Sequence, residues 1–222
     1  MTPPAKHLTI AARPLGWTVG VCIVAFAVVL GLVAAHWAPL LTGDQAADNA
    51  AHVDVLAQSW LLAGARAVTT AGSSLVVNVV AAVAAIALLI IRWWRGAVLV
   101  VVARLGELAS TTAVKDLLAR PRPTLPNPVD HGAGYSFPSG HAAGAAAVYG
   151  ALLVLVLPRA ARWARALLLT AGALLICAVA ASRVLLGVHY PSDVAAGAAL
   201  GLAWVGIAAF LITLIRPGGV GT

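Results

Sequence analysis

Residues 182–193 read SRVLLGVHYPSD and lie between two apolar runs, ALLLTAGALLICAVAA (166–181) and VAAGAALGLAWVGIAAFLITLI (194–215). A helix needs roughly 20 apolar residues to cross a bilayer, and each run approaches or reaches that length. A short polar link between two such runs reads as the turn of a transmembrane hairpin. Its content sets it apart, because Ser182, Arg183, His189 and Asp193 crowd into one turn of a chain that is 62% hydrophobic and only 9% charged.

The same criterion gives six spans, over 15–41, 72–91, 96–118, 139–157, 165–183 and 191–215. They predict an all-α, polytopic membrane protein, a single domain over 1–222 built as a bundle of six transmembrane helices. So many runs of spanning length argue against a soluble helical protein with a greasy core. The first run follows Lys6 and Arg13 as a signal peptide would, but it exceeds the apolar core of about 7–15 residues typical of one, and reads as an uncleaved anchor. Residues 54–70 are apolar only in patches, interrupted by Gln58, Arg66, Thr69 and Thr70, and are expected to form an interfacial or re-entrant piece. Cys22 and Cys177 fall inside apolar runs and read as small hydrophobic residues, with neither a disulfide nor a CxxC metal pattern on offer.

Six spans place both termini on one side. That side collects Lys6, Arg13, Arg92, Arg95, Arg159, Arg162, Arg165 and Arg216 with no acidic residue, which marks it as cytoplasmic. The opposite side holds Asp44, Asp48, Asp54, Asp116, Asp130 and Asp193, with Arg66, Lys115, Arg120, Arg122 and Arg183 as its cations. The expected location is the plasma (inner) membrane, with both termini cytoplasmic. The formal charge of +7 then reflects topology. Its cations sit in short loops rather than on one continuous face, so nucleic acid is not an expected partner. Trp17, Trp93, Trp94 and Trp163 fall near the inner boundary and Trp37 and Trp60 near the outer, as aromatic belts do. Trp204, mid-span, reads as packing.

Three polar clusters share the outer face. Lys115, Arg122 and Pro123 end the third span, Pro138, Ser139, Gly140 and His141 begin the fourth, and the 182–193 turn joins the fifth to the sixth. Ser139 suits the N-cap of the fourth span, whose free N–H groups and positive dipole end favour an anion beside His141. The 121–138 loop before it carries five prolines. Pro121 and Pro123 stop the third helix and bring an ammonium and a forked guanidinium near one another, two donor geometries for one phosphate. His189 and Asp193 are four apart with Pro191 as a first helical residue, a spacing that lets the carboxylate fix one imidazole nitrogen as N–H and leave the other free to attack phosphorus. His141 is then the candidate acid for the leaving oxygen, with Lys115, Arg122 and Arg183 neutralising phosphoryl charge.

Lys115 with six residues before Arg122-Pro123, then Pro138-Ser139-Gly140-His141, then Ser182-Arg183 with five residues before His189 and three more before Asp193, is a pattern that resembles the type 2 phosphatidate phosphatases, a family of membrane lipid phosphatases related to vanadate-dependent haloperoxidases. At motif level the resemblance covers 115–193. It implies that Lys115, Arg122, Ser139, Gly140 and Arg183 bind the substrate phosphate. It further implies that His189 becomes a phosphohistidine, that Asp193 orients it and that His141 is the acid; no cofactor is expected, and metal is opposed by the cations of the site. The implied partners are a lipid phosphate reached from the outer leaflet and the surrounding membrane lipids. A composition rich in Ala, Val, Gly and Arg looks bacterial and tilts the expected substrate toward a polyprenyl diphosphate, with phosphatidate or phosphatidylglycerol phosphate as the alternative. A non-catalytic phospholipid-binding or transport protein is disfavoured because both histidines and Asp193 are intact.

Outside the clusters, Arg104 and Glu107 lie three apart within a span and read as an ion pair facing the bundle. Asp130, His131, His52, His36 and His7 read as solvated or interfacial. Tyr135 and Phe137 read as steering a headgroup or wedging the loop. A metal site built from His141, His189, Asp193 and Asp130 is opposed by the three cations beside it.

Overall fold

The computed structural model describes residues 12–126 and 128–214, which form eight α-helices and one short 3-10 turn. In chain order the helices are α1 (Ala12–Ala34), α2 (Ala38–Ala57), α3 (Ser59–Ala71), α4 (Ser74–Ile90), α5 (Trp94–Leu118), α6 (Gly140–Val156), α7 (Arg162–Leu185) and α8 (Pro191–Leu214). Lys6, His7, the side chain of Arg13, Arg216 and the 217–222 segment lie outside the described residues. Helices α1, α5, α6, α7 and α8 are long and apolar enough to cross a membrane. Helices α3 and α4, bent by 40° at their junction, pass the same test only as a pair, as a broken span or a re-entrant loop does.

Two sequence boundaries move. The expected span 15–41 stops at Ala34, because His36 adopts a left-handed φ of 52° and a second helix begins at Ala38. Pro39 sits in the first turn of α2, where its missing N–H is not needed. The apolar residues Trp37, Leu40 and Leu41 masked this stop. What the sequence presented as an outer loop is therefore a helix of 20 residues whose Asp44, Asp48, His52 and Val55 face is buried. His52, expected to be solvated or interfacial, is buried with its Nε2 2.6 Å from the Pro126 carbonyl oxygen. The expected interfacial piece 54–70 is likewise divided. Its first residues finish α2 and the rest forms α3, the first arm of the bent pair, with Ser73 capping α4 by accepting from the Val76 N–H at 3.3 Å.

Helices α6 and α8 are the innermost pair, and small residues let them close on each other. A Cβ at Gly197 would stand 2.5 Å from the Ser139 carbonyl oxygen and one at Gly201 2.3 Å from that of Ala143. This GxxxG pair on α8 thus presses backbone to backbone against α6 at the level of the second cluster, as close helix packing in lipid requires. Trp204 packs on Gly106 of α5 and donates to Ser110 Oγ at 3.0 Å, as expected of a packing residue. Arg104 and Glu107 are buried as an ion pair, closed off by Asn78 Oδ1 at 2.8 Å from Arg104 Nε and by Thr111 donating to Glu107 at 3.0 Å. Trp93 departs from the aromatic-belt expectation. It is buried and lies under the Arg159 guanidinium, 3.9 Å from the ring centroid, where a cation over an aromatic face is favourable.

Candidate active site

The end of α5, the start of α6 and the α7–α8 turn meet at one end of the bundle. A backbone hydrogen bond of 3.0 Å from the Ser139 N–H to the Asp193 carbonyl oxygen ties the second cluster to the third. Asp193 also closes the start of its own helix. It stands three residues after Tyr190, whose N–H donates to Asp193 Oδ2 at 3.0 Å, the back-reaching half of a capping box. Ser136 Oγ donates to the same oxygen, while Arg120 Nη1 donates to Oδ1 at 2.5 Å. His189 Nδ1 stands 3.5 Å from Oδ2, an electrostatic pairing longer than a well-formed hydrogen bond.

Arg122 meets His189 from the other side. Its Nη1 lies 3.1 Å from His189 Nε2 and 2.6 Å from the Val188 carbonyl oxygen, while Nε and Nη2 reach the carbonyls of Gly134 and Ala133 at 2.9 and 2.7 Å. Lys115 Nζ and Arg122 Nη2 both donate to the Tyr135 carbonyl oxygen, so the ammonium and the guanidinium converge as their spacing suggests. The helix that delivers Lys115 ends at Ala119, in the left-handed region at φ 48°, with its N–H bonded to the Lys115 carbonyl at 2.9 Å. Phe137 is the wedge of the loop, fully buried and stacked on Phe26 with ring centroids 6.3 Å apart. Tyr135 contributes its carbonyl while its side chain is exposed.

Ser139 occupies the N-cap position of α6, but its side chain makes no capping bond. Its Oγ is buried without a partner among the described residues. Arg183 is anchored by one nitrogen, with Nη1 2.7 Å from Thr69 Oγ1 and 3.8 Å from Asp130 Oδ2, while its buried Nε has no partner among the described residues. His141 sits within electrostatic range of Arg183, His189, Arg122 and Asp130. The elbow between α3 and α4 backs it, since a Cβ on Gly72 would stand 3.2 Å from the His141 carbonyl oxygen and 2.3 Å from Val179 Cγ1.

All eight sequence-derived site residues therefore gather at one end of the bundle. Sequence reasoning missed their supports. Thr69 steadies Arg183, Ser136 and Arg120 steady Asp193, and Asp44 on α2 bonds Arg120 Nη2 at 2.8 Å and the Ser192 N–H at 3.0 Å. The spacing of four between Asp44, Asp48 and His52, which the structure buries on one face, was the one signal for α2 in the sequence.

Electrostatics keep His189 uncharged at neutral pH. Burial pushes the His189 imidazole down to about 4, with Arg122 and Lys115 adding to the effect and Asp193 opposing it. Burial also raises Asp48 to about 6, opposed by His52 and reinforced by Asp193 and Asp44. Among the described residues no three His, Cys, Asp or Glu side chains are grouped to hold a metal ion. A cavity of about 300 Å³ opens beside Arg122, lined also by Asp130, His131 and Gly187. A larger one, of about 530 Å³, is lined by His36, Gln45, Arg120 and Tyr190, among others, and by neither catalytic-candidate histidine.

Residues 94–215, from the first turn of α5 to the end of α8, match the model of the PAP2 superfamily. The chain belongs to that superfamily. The PAP2 chain is 31% identical over 173 residues to phosphatidylglycerophosphatase B of Bacillus subtilis, covering 76% of this chain and 83% of the relative. It is 43% identical over 96 residues to decaprenylphosphoryl-5-phosphoribose phosphatase of Mycobacterium tuberculosis, covering 42% of this chain and 48% of that protein. Its fold matches the crystal structure of a transmembrane PAP2-type phosphatidylglycerolphosphate phosphatase from Bacillus subtilis at a TM-score of 0.80 and 23% identity, over 91% of this chain and 99% of the other. This PAP2 protein is thus a multi-pass membrane protein and a lipid phosphate hydrolase.

Proposed function

We propose that the protein hydrolyses a lipid phosphomonoester at the outer leaflet through a phosphohistidine at His189. The observation that carries this reading is a neutral, buried His189 with Arg122 at its Nε2, at the same end of the bundle as the buried, unpartnered Ser139 Oγ and Arg183 Nε. The His189 Nε2 lone pair attacks phosphorus, and the bond to the lipid oxygen breaks as His141 gives that oxygen its proton. Water activated by His141 then attacks phosphorus, the P–N bond breaks, and inorganic phosphate leaves. Lys115, Arg122, Arg183, Ser139 and the Gly140 N–H hold the phosphoryl oxygens throughout.

The names of the two relatives share a chemistry. Each denotes a lipid with one phosphate esterified on both sides and a second ending as a monoester on a polyol, glycerol in one case and ribose in the other. That favours a monoester over the polyprenyl diphosphate suggested by composition. Phosphatidylglycerol phosphate is the first choice because its relative spans more of the chain. Detergent-solubilised protein offered phosphatidylglycerol phosphate, phosphatidate and undecaprenyl diphosphate should release phosphate fastest from the first. Preference for the diphosphate would reverse the assignment. With labelled substrate, His189→Ala should trap no phosphoenzyme, whereas His141→Ala should still form one from an aryl phosphate, whose leaving group needs no proton.

The outer placement is supported by Arg92 and Arg159 in the connections at the other end of the spans, and by Arg95, Arg162 and Arg165 in the first helical turns that follow those connections. In a background lacking Cys22 and Cys177, Ala133→Cys should react with an impermeant thiol reagent outside intact cells and Ala161→Cys should not. The reverse pattern would invert the topology.

A further inference from the structure

Asp193 has to serve both Arg120 and His189 without being captured by the guanidinium. A guanidinium facing a single carboxylate ordinarily takes both oxygens in a parallel fork. Arg120 does not, because its two terminal nitrogens go to different acids: Nη1 lies 2.5 Å from Asp193 Oδ1 and Nη2 lies 2.8 Å from Asp44 Oδ2. Asp193 Oδ2 is thereby left on the side of Ser136, the Tyr190 N–H and His189. Asp44 also fixes the backbone next to Asp193, accepting from the Ser192 N–H at 3.0 Å and from Ser192 Oγ. Arg120 is held flat as well, 4.3 Å from the centroid of the Tyr190 ring. Asp44, Arg120, Ser192 and Asp193 are all buried. A network of two acids and one base carries a desolvation cost that an apolar contact would avoid, so its geometry rather than its stability is the property to explain.

We propose that Asp44 is a positioning residue for the reaction: by occupying Arg120 Nη2 and the Ser192 N–H, it restricts Arg120 to one oxygen of Asp193 and keeps the other directed at His189. Helix α2, which carries none of the three motif clusters, is then part of the catalytic apparatus. This inference rests on the reading of His189 as nucleophile and Asp193 as its orienting acid.

The test is a double-mutant cycle on full-length protein in detergent, followed with an aryl phosphate so that slow variants stay measurable. Asp44→Asn is isosteric and frees Arg120 to fork onto Asp193, so kcat should fall about tenfold, as loss of a supporting contact typically does, while KM stays within about twofold. In an Asp193→Asn background the same change should cost no more than about twofold, because the group it acts through is gone. Arg120→Lys, which keeps the charge but can reach only one acid, should show the same pattern. Equal losses in both backgrounds, a wild-type kcat for Asp44→Asn, or failure of both variants to accumulate as folded protein would overturn the proposal and leave Asp44 a structural residue. His189→Ala is the separate control: if it still forms a phosphoenzyme, the reading of the nucleophile fails, whatever Asp44 does.

Discussion

Arg122 Nη1 lies 3.1 Å from His189 Nε2. A guanidinium has donors and no acceptor, so Nε2 must present its lone pair and the imidazole proton must sit on Nδ1, toward Asp193. The tautomer required for attack at phosphorus is thus set by two neighbours, one at each ring nitrogen. Arg122 marks the direction in which the lone pair points, and that is where an anionic phosphoryl group would displace it.

Substituting Arg122 should therefore be costly in two ways. Arg122→Gln removes charge from the phosphoryl site and the brace on the carbonyls of Ala133, Gly134 and Val188. We expect kcat/KM to fall by about 100-fold or more. Arg122→Lys should recover little of this, since one ammonium cannot span the five acceptors at Ala133, Gly134, Tyr135, Val188 and His189. Steady-state kinetics on both variants decide the matter, and full activity of the lysine variant would show that charge alone is used.

The acid limb of the pH profile follows from His189. In the proposed mechanism its neutral form attacks phosphorus, and burial holds the imidazole at about 4. Activity as kcat/KM, corrected for substrate ionisation, should then persist well below the ordinary histidine value of about 6.5 and fall only as the pH nears 4. Because Arg122 contributes less than burial to this depression, Arg122→Gln should move the limb upward by less than about one unit. A wild-type limb near 6.5 would mean that His189 is not the group titrating. The same shift has a stability sign. Between about 6.5 and about 4 the unfolded chain binds the proton more readily, so stability falls as the pH falls through that window.

Much of this was legible in the sequence, and the failures have a common cause. The lengths of α5 to α8 and the placement of Lys115, His141 and His189 at one end follow from apolar run length and span parity, properties of the chain alone. The Arg104–Glu107 pair followed from a spacing of three. Helix α2 did not, because its buried face carries Asp44, Asp48 and His52, polar groups that a hydrophobicity reading assigns to solvent and that only tertiary partners explain. Thr69 was invisible for the same reason. Its hydrogen bond to Arg183 joins residues 114 positions apart.

Gly72 offers a test of the elbow behind His141. Its φ of −95° suits any residue, so the demand on it is space alone. A methyl group there would meet Val179 Cγ1 at 2.3 Å and the His141 backbone at 3.2 Å. Gly72→Ala should push α3 and α4 away from the start of α6 and lower kcat about tenfold by misplacing His141, while Ala71→Gly, one position earlier, should be mild. If Gly72→Ala retains wild-type turnover, the elbow does not set the position of His141.

Inhibition and metal dependence probe the phosphoryl site as a whole. In the proposed mechanism Lys115, Arg122 and Arg183, with the N-terminus of α6 that no side chain caps, provide the positive charge that magnesium supplies in many phosphoryl-transfer enzymes. Turnover should survive excess EDTA and gain nothing from added magnesium. Vanadate can take five-coordinate geometry with His189 Nε2 at one apex and the three cations around its equatorial oxygens, which resembles the transition state and should bind more tightly than substrate. Arg183→Ala removes one of those cations and should weaken vanadate inhibition and kcat/KM together, each by about 10–100-fold. Thr69→Val leaves the guanidinium charge in place but frees it from its anchor at 2.7 Å, so its effect on vanadate should be in the same direction and smaller. Loss of activity in EDTA that magnesium restores, combined with indifference to vanadate, would overturn a mechanism run on side-chain charge and in-line attack by His189.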